Sequence, residues 1–257
     1  MRIISFCAEG IEQAADRGFY DWVSDQDADF ICVQDLRAQE YDLQDDKYHP
    51  QGYYGYFFDA PEPKTNGVAI YVRDTQIPKA IMTGLGFLEA DMEARYIQAD
   101  YERISVGCLL APYAPPGDAE ALAHKQRFFE QYQIHLNKIR HKRREYIICG
   151  SWFIAHANED VQGAANLADV PGFLPGERQW LDVLYRDLEY ADAFRRVNSD
   201  SDEFSWWPGG EQGANGWRTD TQVVSGGLRQ RVEYGAMYKS KTFSNHAPVI
   251  MDYDLEL

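Results

Sequence analysis

No stretch of this 257-residue chain is apolar for the ~18 residues that a membrane span needs. The opening, Met1 to Cys7, is too short for the apolar core of an export signal and reads as a first strand. Metal-binding cysteine patterns are lacking as well. Cys7, Cys32, Cys108 and Cys149 form no C-x-x-C pair, and each lies in or at the end of an apolar run. That placement predicts buried free thiols in a reducing cytoplasm rather than disulfides or zinc. Positive charge is scarce: 25 Lys and Arg stand against 41 Asp and Glu, a net charge of −16. Such a surface repels a polyanion, because nucleic-acid affinity rests on neutralising phosphates. Contact with nucleic acid would need a local basic patch or a partner that brings the charge. Repeats, low-complexity tracts and linkers are lacking too, which predicts one domain over residues 1–257.

What is present is an apolar chain, 45% hydrophobic and 14% aromatic, patterned for layers of helix and sheet. Tyr146 to Cys149 is a short apolar run closed by Gly150, the signature of a central strand buried on both faces. Ser151, Trp152 and Phe153 follow it, where layered α/β proteins often carry their chemistry. Ile11, Ala15, Gly18, Phe19, Trp22 and Val23 recur at helical spacing and predict one amphipathic helix over 11–24. A second strand over 29–34 makes the start a β-α-β unit. Strands are expected over 53–58, 67–73, 79–83, 95–100 and 104–110, separated by Pro, Gly and Asn turns. Asp118 is placed to cap a long helix reaching about His141. A second helix is expected over 176–188, and a short element over 190–196. Further strands are expected over 204–207, 217–224, 232–237 and 248–255.

Seven short segments, in chain order, carry a family signal. They are Ser5-Phe6-Cys7, Val33-Gln34-Asp35, Ala111-Pro112-Tyr113-Ala114-Pro115, Ile148-Cys149-Gly150-Ser151, Phe204-Ser205-Trp206, Gly216-Trp217-Arg218-Thr219-Asp220 and Ser244-Asn245-His246-Ala247-Pro248. Together they resemble the exonuclease III / endonuclease-exonuclease-phosphatase superfamily. The resemblance implies a four-layer α/β sandwich of two mixed β-sheets flanked by helices, and phosphodiester cleavage with a magnesium ion. Matched residue by residue, it puts Asp35 where a metal-binding Glu is expected, and Tyr113, Asp220 and His246 agree. Cys7 replaces an Asn, Ser151 an Asp, Phe153 an Asn and Asn245 an Asp.

Two charges and a polar group are lost by these exchanges, and groups that act as a unit fail together. The expectation is therefore a degenerate site, with Cys7, Asp35, Tyr113, Ser151, Phe153, Asp220, Asn245 and His246 vestigial. No metal or other cofactor and no enzymatic activity are expected of it. The alternative is a weak magnesium-dependent nuclease or phosphodiesterase using Asp35, Asp220 and His246.

Further runs narrow the resemblance: Arg143-Arg144-Glu145-Tyr146-Ile147, Phe204-Ser205-Trp206-Trp207-Pro208, Gly84-Leu85-Gly86-Phe87 and Asp252-Tyr253-Asp254. They are similar to a bacterial branch of the superfamily turned to regulation of carbon catabolite repression. That similarity implies translational co-repression with the RNA chaperone Hfq on A-rich mRNA, with little binding to free RNA or DNA. The basic residues Arg140, Lys142, Arg143, Arg144, Arg196, Arg229 and Arg231 are the candidate contacts for RNA or partner. A plain solvated face, with arginines paired to local acids, is the other reading of that cluster.

Overall fold

The structure, a computed structural model, describes residues 1–210 and 212–257. In chain order the strands are β1 (Arg2–Cys7), β2 (Phe30–Gln34), β3 (Tyr53–Phe58), β4 (Val68–Arg73), β5 (Ala80–Thr83), β6 (Tyr96–Asp100), β7 (Ile104–Leu110), β8 (Glu145–Ser151), β9 (Ala191–Asp192), β10 (Asp220–Val224), β11 (Val232–Met237) and β12 (Val249–Tyr253). The helices are α1 (Ile11–Asp16), α2 (Phe19–Ser24), α3 (Leu88–Met92), α4 (Ala119–Ile139), α5 (Pro175–Asp182) and α6 (Ala193–Val197). The strands build two six-stranded sheets, ordered β11-β12-β1-β2-β4-β3 and β5-β6-β7-β8-β10-β9. Each sheet is mixed: β1 with β2 and β7 with β8 run parallel, and the remaining pairs run antiparallel.

Strand side chains alternate between faces, and both faces of each sheet are covered. In β1, Ile3 joins the core between the sheets, while Ile4 and Phe6 pack with Phe19 and Val23 of α2. In β8, Ile147 and Cys149 face the first sheet, while Tyr146 and Ile148 meet Phe128, Tyr132 and Leu136 of α4. Burial on both sides is why these strands read as continuous apolar runs. The result is the expected four-layer sandwich. All four cysteines are free and buried, three of them in the layer between the sheets. Among the described residues, no helix is long and apolar enough to cross a membrane.

Three local expectations need correction. The single helix over 11–24 is two helices, because Gly18 takes a left-handed turn (φ +84°) between them. Periodicity survives that break, since both halves cover the same sheet face. Residues 204–207 form no strand; Trp206 makes isolated bridges to Trp217 and His246, and β10 begins only at Asp220. The helix expected to reach Leu188 widens after Asp182 into a π-type turn over Val183–Asp187. Asp118 caps α4 as expected, accepting from the Ala121 N–H at 2.9 Å. Unforeseen on α4 is Lys125, almost wholly buried.

Candidate active site

Strand direction brings the eight matched positions to one end of the molecule. β1 ends at Cys7, β2 one residue before Asp35, β7 three before Tyr113, and β8 at Ser151. β10 starts there in the opposite sense, so Asp220 lies in register across from Ser151. Asn245 and His246 approach in the turn before β12. Gly150 is required at this end: a Cβ there would lie 2.7 Å from the Leu109 carbonyl oxygen.

Asp220 organises the buried floor. One carboxylate oxygen accepts from Ser151 Oγ. The other accepts from Ser205 Oγ at 2.7 Å and meets His246 Nδ1 at 2.8 Å. Burial alone would lower the imidazole's pKa, but the Asp220 carboxylate outweighs it and raises the value well above the usual histidine range. The carboxylate thus favours the protonated ring. Burial raises the neighbouring Cys7 thiol's pKa, with His246 opposing. Among the described residues His246 Nε2 has no nitrogen or oxygen hydrogen-bond partner, and the Cys7 thiol is its neighbour. Such a carboxylate–imidazole pair orients one nitrogen and leaves the other available for proton transfer or for stabilising an anion.

An aromatic cover lies over this floor. Trp206 stacks on the imidazole, with ring centres 5.6 Å apart, and Phe153 meets it edge-on at 5.8 Å. Tyr113 contacts both rings from outside and is the most exposed of the three. Above them opens a cleft of ≈ 450 Å³, walled on its other side by Glu9, Asp35, Arg37, Lys64, Asn66 and Arg95. Glu9, Asp35, Arg37, Lys64, Asn66 and Phe153 all have left-handed φ, between 48° and 60°. Such backbone is costly outside glycine and gathers at functional sites.

A magnesium ion prefers oxygen ligands, chiefly carboxylates and water. Here Asp35 is held in a 2.7 Å ion pair by Arg37, and Glu9 accepts from the Asn245 N–H at 3.0 Å. Both Asp220 oxygens are already engaged. Among the described residues no group of three or more His, Cys, Asp or Glu is arranged to hold a metal. This donor set does not fit the ion that the family uses.

The basic candidates occupy the other end of β8. Arg140, Lys142, Arg144 and Arg229 line a hollow of ≈ 420 Å³ together with Glu145 and Glu189. Arg196 lines an adjoining hollow, which shares Arg229 and Tyr190 with the first. Thus Arg229, remote in sequence, lies in the same hollow as Arg140, and Arg196 shares the neighbouring hollow with Arg229. Arg144 turns toward the sheet, 2.7 Å from Asp100. Arg143 is exposed but lines neither hollow, and Arg231 pairs with Asp254 at 2.6 Å.

Sequence reasoning missed the cleft's cations. Arg37, Lys64 and Arg95 come from three separate strand connections, and only Arg37 adjoins a matched segment. Ser205 and Trp206 belong to a matched segment, but no role could be assigned to them; their places depend on the two isolated bridges.

The site is thus an aspartate–histidine pair at the strand ends of an α/β sandwich of two mixed sheets. The chain belongs to the Endonuclease/Exonuclease/phosphatase family, whose model matches residues 10–238. It is 28% identical over 256 residues to an exodeoxyribonuclease of Bacillus subtilis (strain 168), covering 97% of this chain and 98% of that protein. A DNA-(apurinic or apyrimidinic site) endonuclease of Dictyostelium discoideum is 25% identical, over 99% of this chain and 71% of its own. An AP endonuclease from Archaeoglobus fulgidus superposes with a TM-score of 0.88 at 22% identity, over 99% and 100% of the two chains.

These comparisons correct the expectation of a degenerate, non-enzymatic site. Relatives that the chain covers over most of their length, and that are named as nucleases, point to enzymatic activity. The physical reason lies in the floor. Counting lost groups treated the remaining ones as relics, yet Ser151 and Ser205 hold Asp220, and Asp220 holds the imidazole.

Proposed function

We propose that this chain is a regulator of the catabolite repression control type, acting with the RNA chaperone Hfq as a translational co-repressor on A-rich mRNA. The observation that carries the reading is the convergence of Arg140, Lys142, Arg144 and Arg229 on one hollow of a protein with net charge −16. The sequence runs similar to that bacterial branch support it. An acidic protein with one basic face binds free RNA poorly, but joins an assembly in which a partner already neutralises most of the phosphates. The reading makes no claim of catalytic silence. Its test is capture of Hfq with and without A-rich RNA: the chain should be retained only when RNA is present, and Arg140→Glu should weaken retention.

A second reading, phosphodiester hydrolysis, is favoured by the buried Asp220–His246 pair, whose Nε2 has no nitrogen or oxygen partner among the described residues. It also draws on the nuclease names of the relatives. Turnover of abasic-site DNA or RNA that copurifies with the chain and vanishes in His246→Ala would establish it beside the regulatory role.

A further inference from the structure

The two sheets end in four edge strands, β3, β5, β9 and β11, and three of these are guarded. β5 and β9 are short, of four and two residues. β11 carries Glu233, breaks register between Val232 and Tyr234, and lies against Phe194 of α6 at Gly235. Short length, charge, bulges and cover are the devices that keep an edge from pairing with another chain. β3 lacks them. Tyr53-Tyr54-Gly55-Tyr56-Phe57-Phe58 has no charge and no proline, none of its residues is buried, and it pairs with β4 in unbroken register over all six residues. The Gly52 carbonyl accepts from the Asp74 N–H, so alternation turns the backbone of Tyr54, Tyr56 and Phe58 toward β4 and that of Gly55 and Phe57 outward. Among the described residues nothing hydrogen-bonds to these outward groups, whereas the Tyr53 N–H is taken by the Pro50 carbonyl.

We infer that the chain forms a two-fold symmetric dimer by antiparallel pairing of β3 with β3 of a second copy, in the register centred on Tyr56. Only that register lets Gly55 and Phe57, the free outward pair, exchange N–H···O bonds with each other across the axis, each phenyl ring lying over a glycine. On the opposite face Tyr54 meets the partner's Phe58, and Tyr56 meets its own counterpart. Aromatic pairs of this kind are stabilising units of a sheet. One sequence thus supplies both sides of the contact, as a closed two-fold interface requires. An uncharged strand is also where two copies of net charge −16 meet with least repulsion. The contact is one strand wide, so the dimer is weak and concentration-dependent. It draws on neither the basic hollow nor the cleft, and does not depend on Hfq.

The experiment is analytical sedimentation of the full chain from about 1 to 200 µM, at low and at high salt. The wild type should pass from monomer to dimer as its concentration rises. The dimer should tighten about threefold or more at high salt, because salt screens the repulsion between acidic copies. Tyr54→Lys, at an exposed position, should weaken it at least about tenfold, since each dimer loses two aromatic pairs. An unchanged melting temperature of that variant separates lost pairing from lost folding. Register is read by cross-linking with oxidised glutathione, the native cysteines all being buried. Tyr56→Cys should give a disulfide-linked dimer, with two reduced glutathione molecules released per link, because its Cα atoms pair about 4.5 Å apart across the axis. Tyr54→Cys should not cross-link, its counterpart standing about 13 Å away along the strand. A chain that stays monomeric throughout, a dimer that salt dissolves, a dimer indifferent to Tyr54→Lys, or cross-linking through Tyr54→Cys rather than Tyr56→Cys overturns the inference.

Discussion

The two ends of β8 solve opposite problems with the same residue types. At the Ser151 end, cations and carboxylates surround an aromatic wall, on backbone held in left-handed conformations. At the Glu145 end, arginines spread over open hollows. Strand geometry separates the two by about 20 Å, so they can serve different ligands. The difference lies in what holds each end rigid. The cleft end is tied by Asp220 and by Lys125, whose ammonium lies 2.8 Å from the Phe153 carbonyl oxygen and 2.6 Å from Glu177. Along the sheet edge between the two ends runs a buried ion network: Arg218 is 2.7 Å from both Asp160 and Asp192, and Arg195 is 2.7 Å from Asp160.

Breaking the network gives the largest expected effect. Arg218→Leu leaves Asp160 and Asp192 buried with lost partners and should cost about 3–5 kcal/mol in urea unfolding. A loss under about 1 kcal/mol would mean that the network does not hold the edge between the two ends. Next is Lys125→Met, which should cost about 3 kcal/mol, because Glu177 loses its cation but keeps the Gly172 and Leu174 N–H donors. It should also release the Phe153 cover and open His246 to imidazole-modifying reagents. Unchanged protection of His246 would show that Lys125 does not hold the cover.

A smaller effect distinguishes the ends by pH. The folded-state pKa of His246 lies above its unfolded value of about 6.5, so the pair's contribution is full below that pH and is lost as pH rises through the folded value. The stability gap between the wild type and His246→Gln should therefore narrow from acid toward alkaline pH. The Asp160 carboxyl behaves in the opposite sense. Burial would raise its pKa, but the Arg218 guanidinium holds it well below the usual range, so its contribution is lost on the acid side. A His246 gap that widened with rising pH would contradict the charged-imidazole description.

Much of the layering could be read from the chain because burial on both sheet faces writes continuous apolar runs, as in Ile147 to Cys149. The eight matched positions could also be read, since strand ends in a layered fold converge. Lys125 could not: on α4 it sits among Phe128, Phe129 and Tyr132, and nothing local marks its ammonium as buried. Lys64 and Arg95 likewise gain meaning only when separate loops meet over Tyr113. The placing of Arg196 near Arg229 required β9 to pair with β10, a two-residue strand too short to show in periodicity. The state of the active site was hidden for a different reason: a sequence shows which groups have been exchanged, but not that Asp220 still holds His246.

The separation of the two ends is tested most directly at Arg140, in the basic hollow, with Lys64 in the cleft as control. Retention of the chain on immobilised Hfq is measured with and without A-rich RNA, at low and at physiological salt. The account predicts retention of the wild type only with RNA, about tenfold weaker joining by Arg140→Glu with stability changed by no more than about 0.5 kcal/mol, and a smaller effect of Lys64→Glu. Tight binding of A-rich RNA by the chain alone at physiological salt, without Hfq, would contradict it.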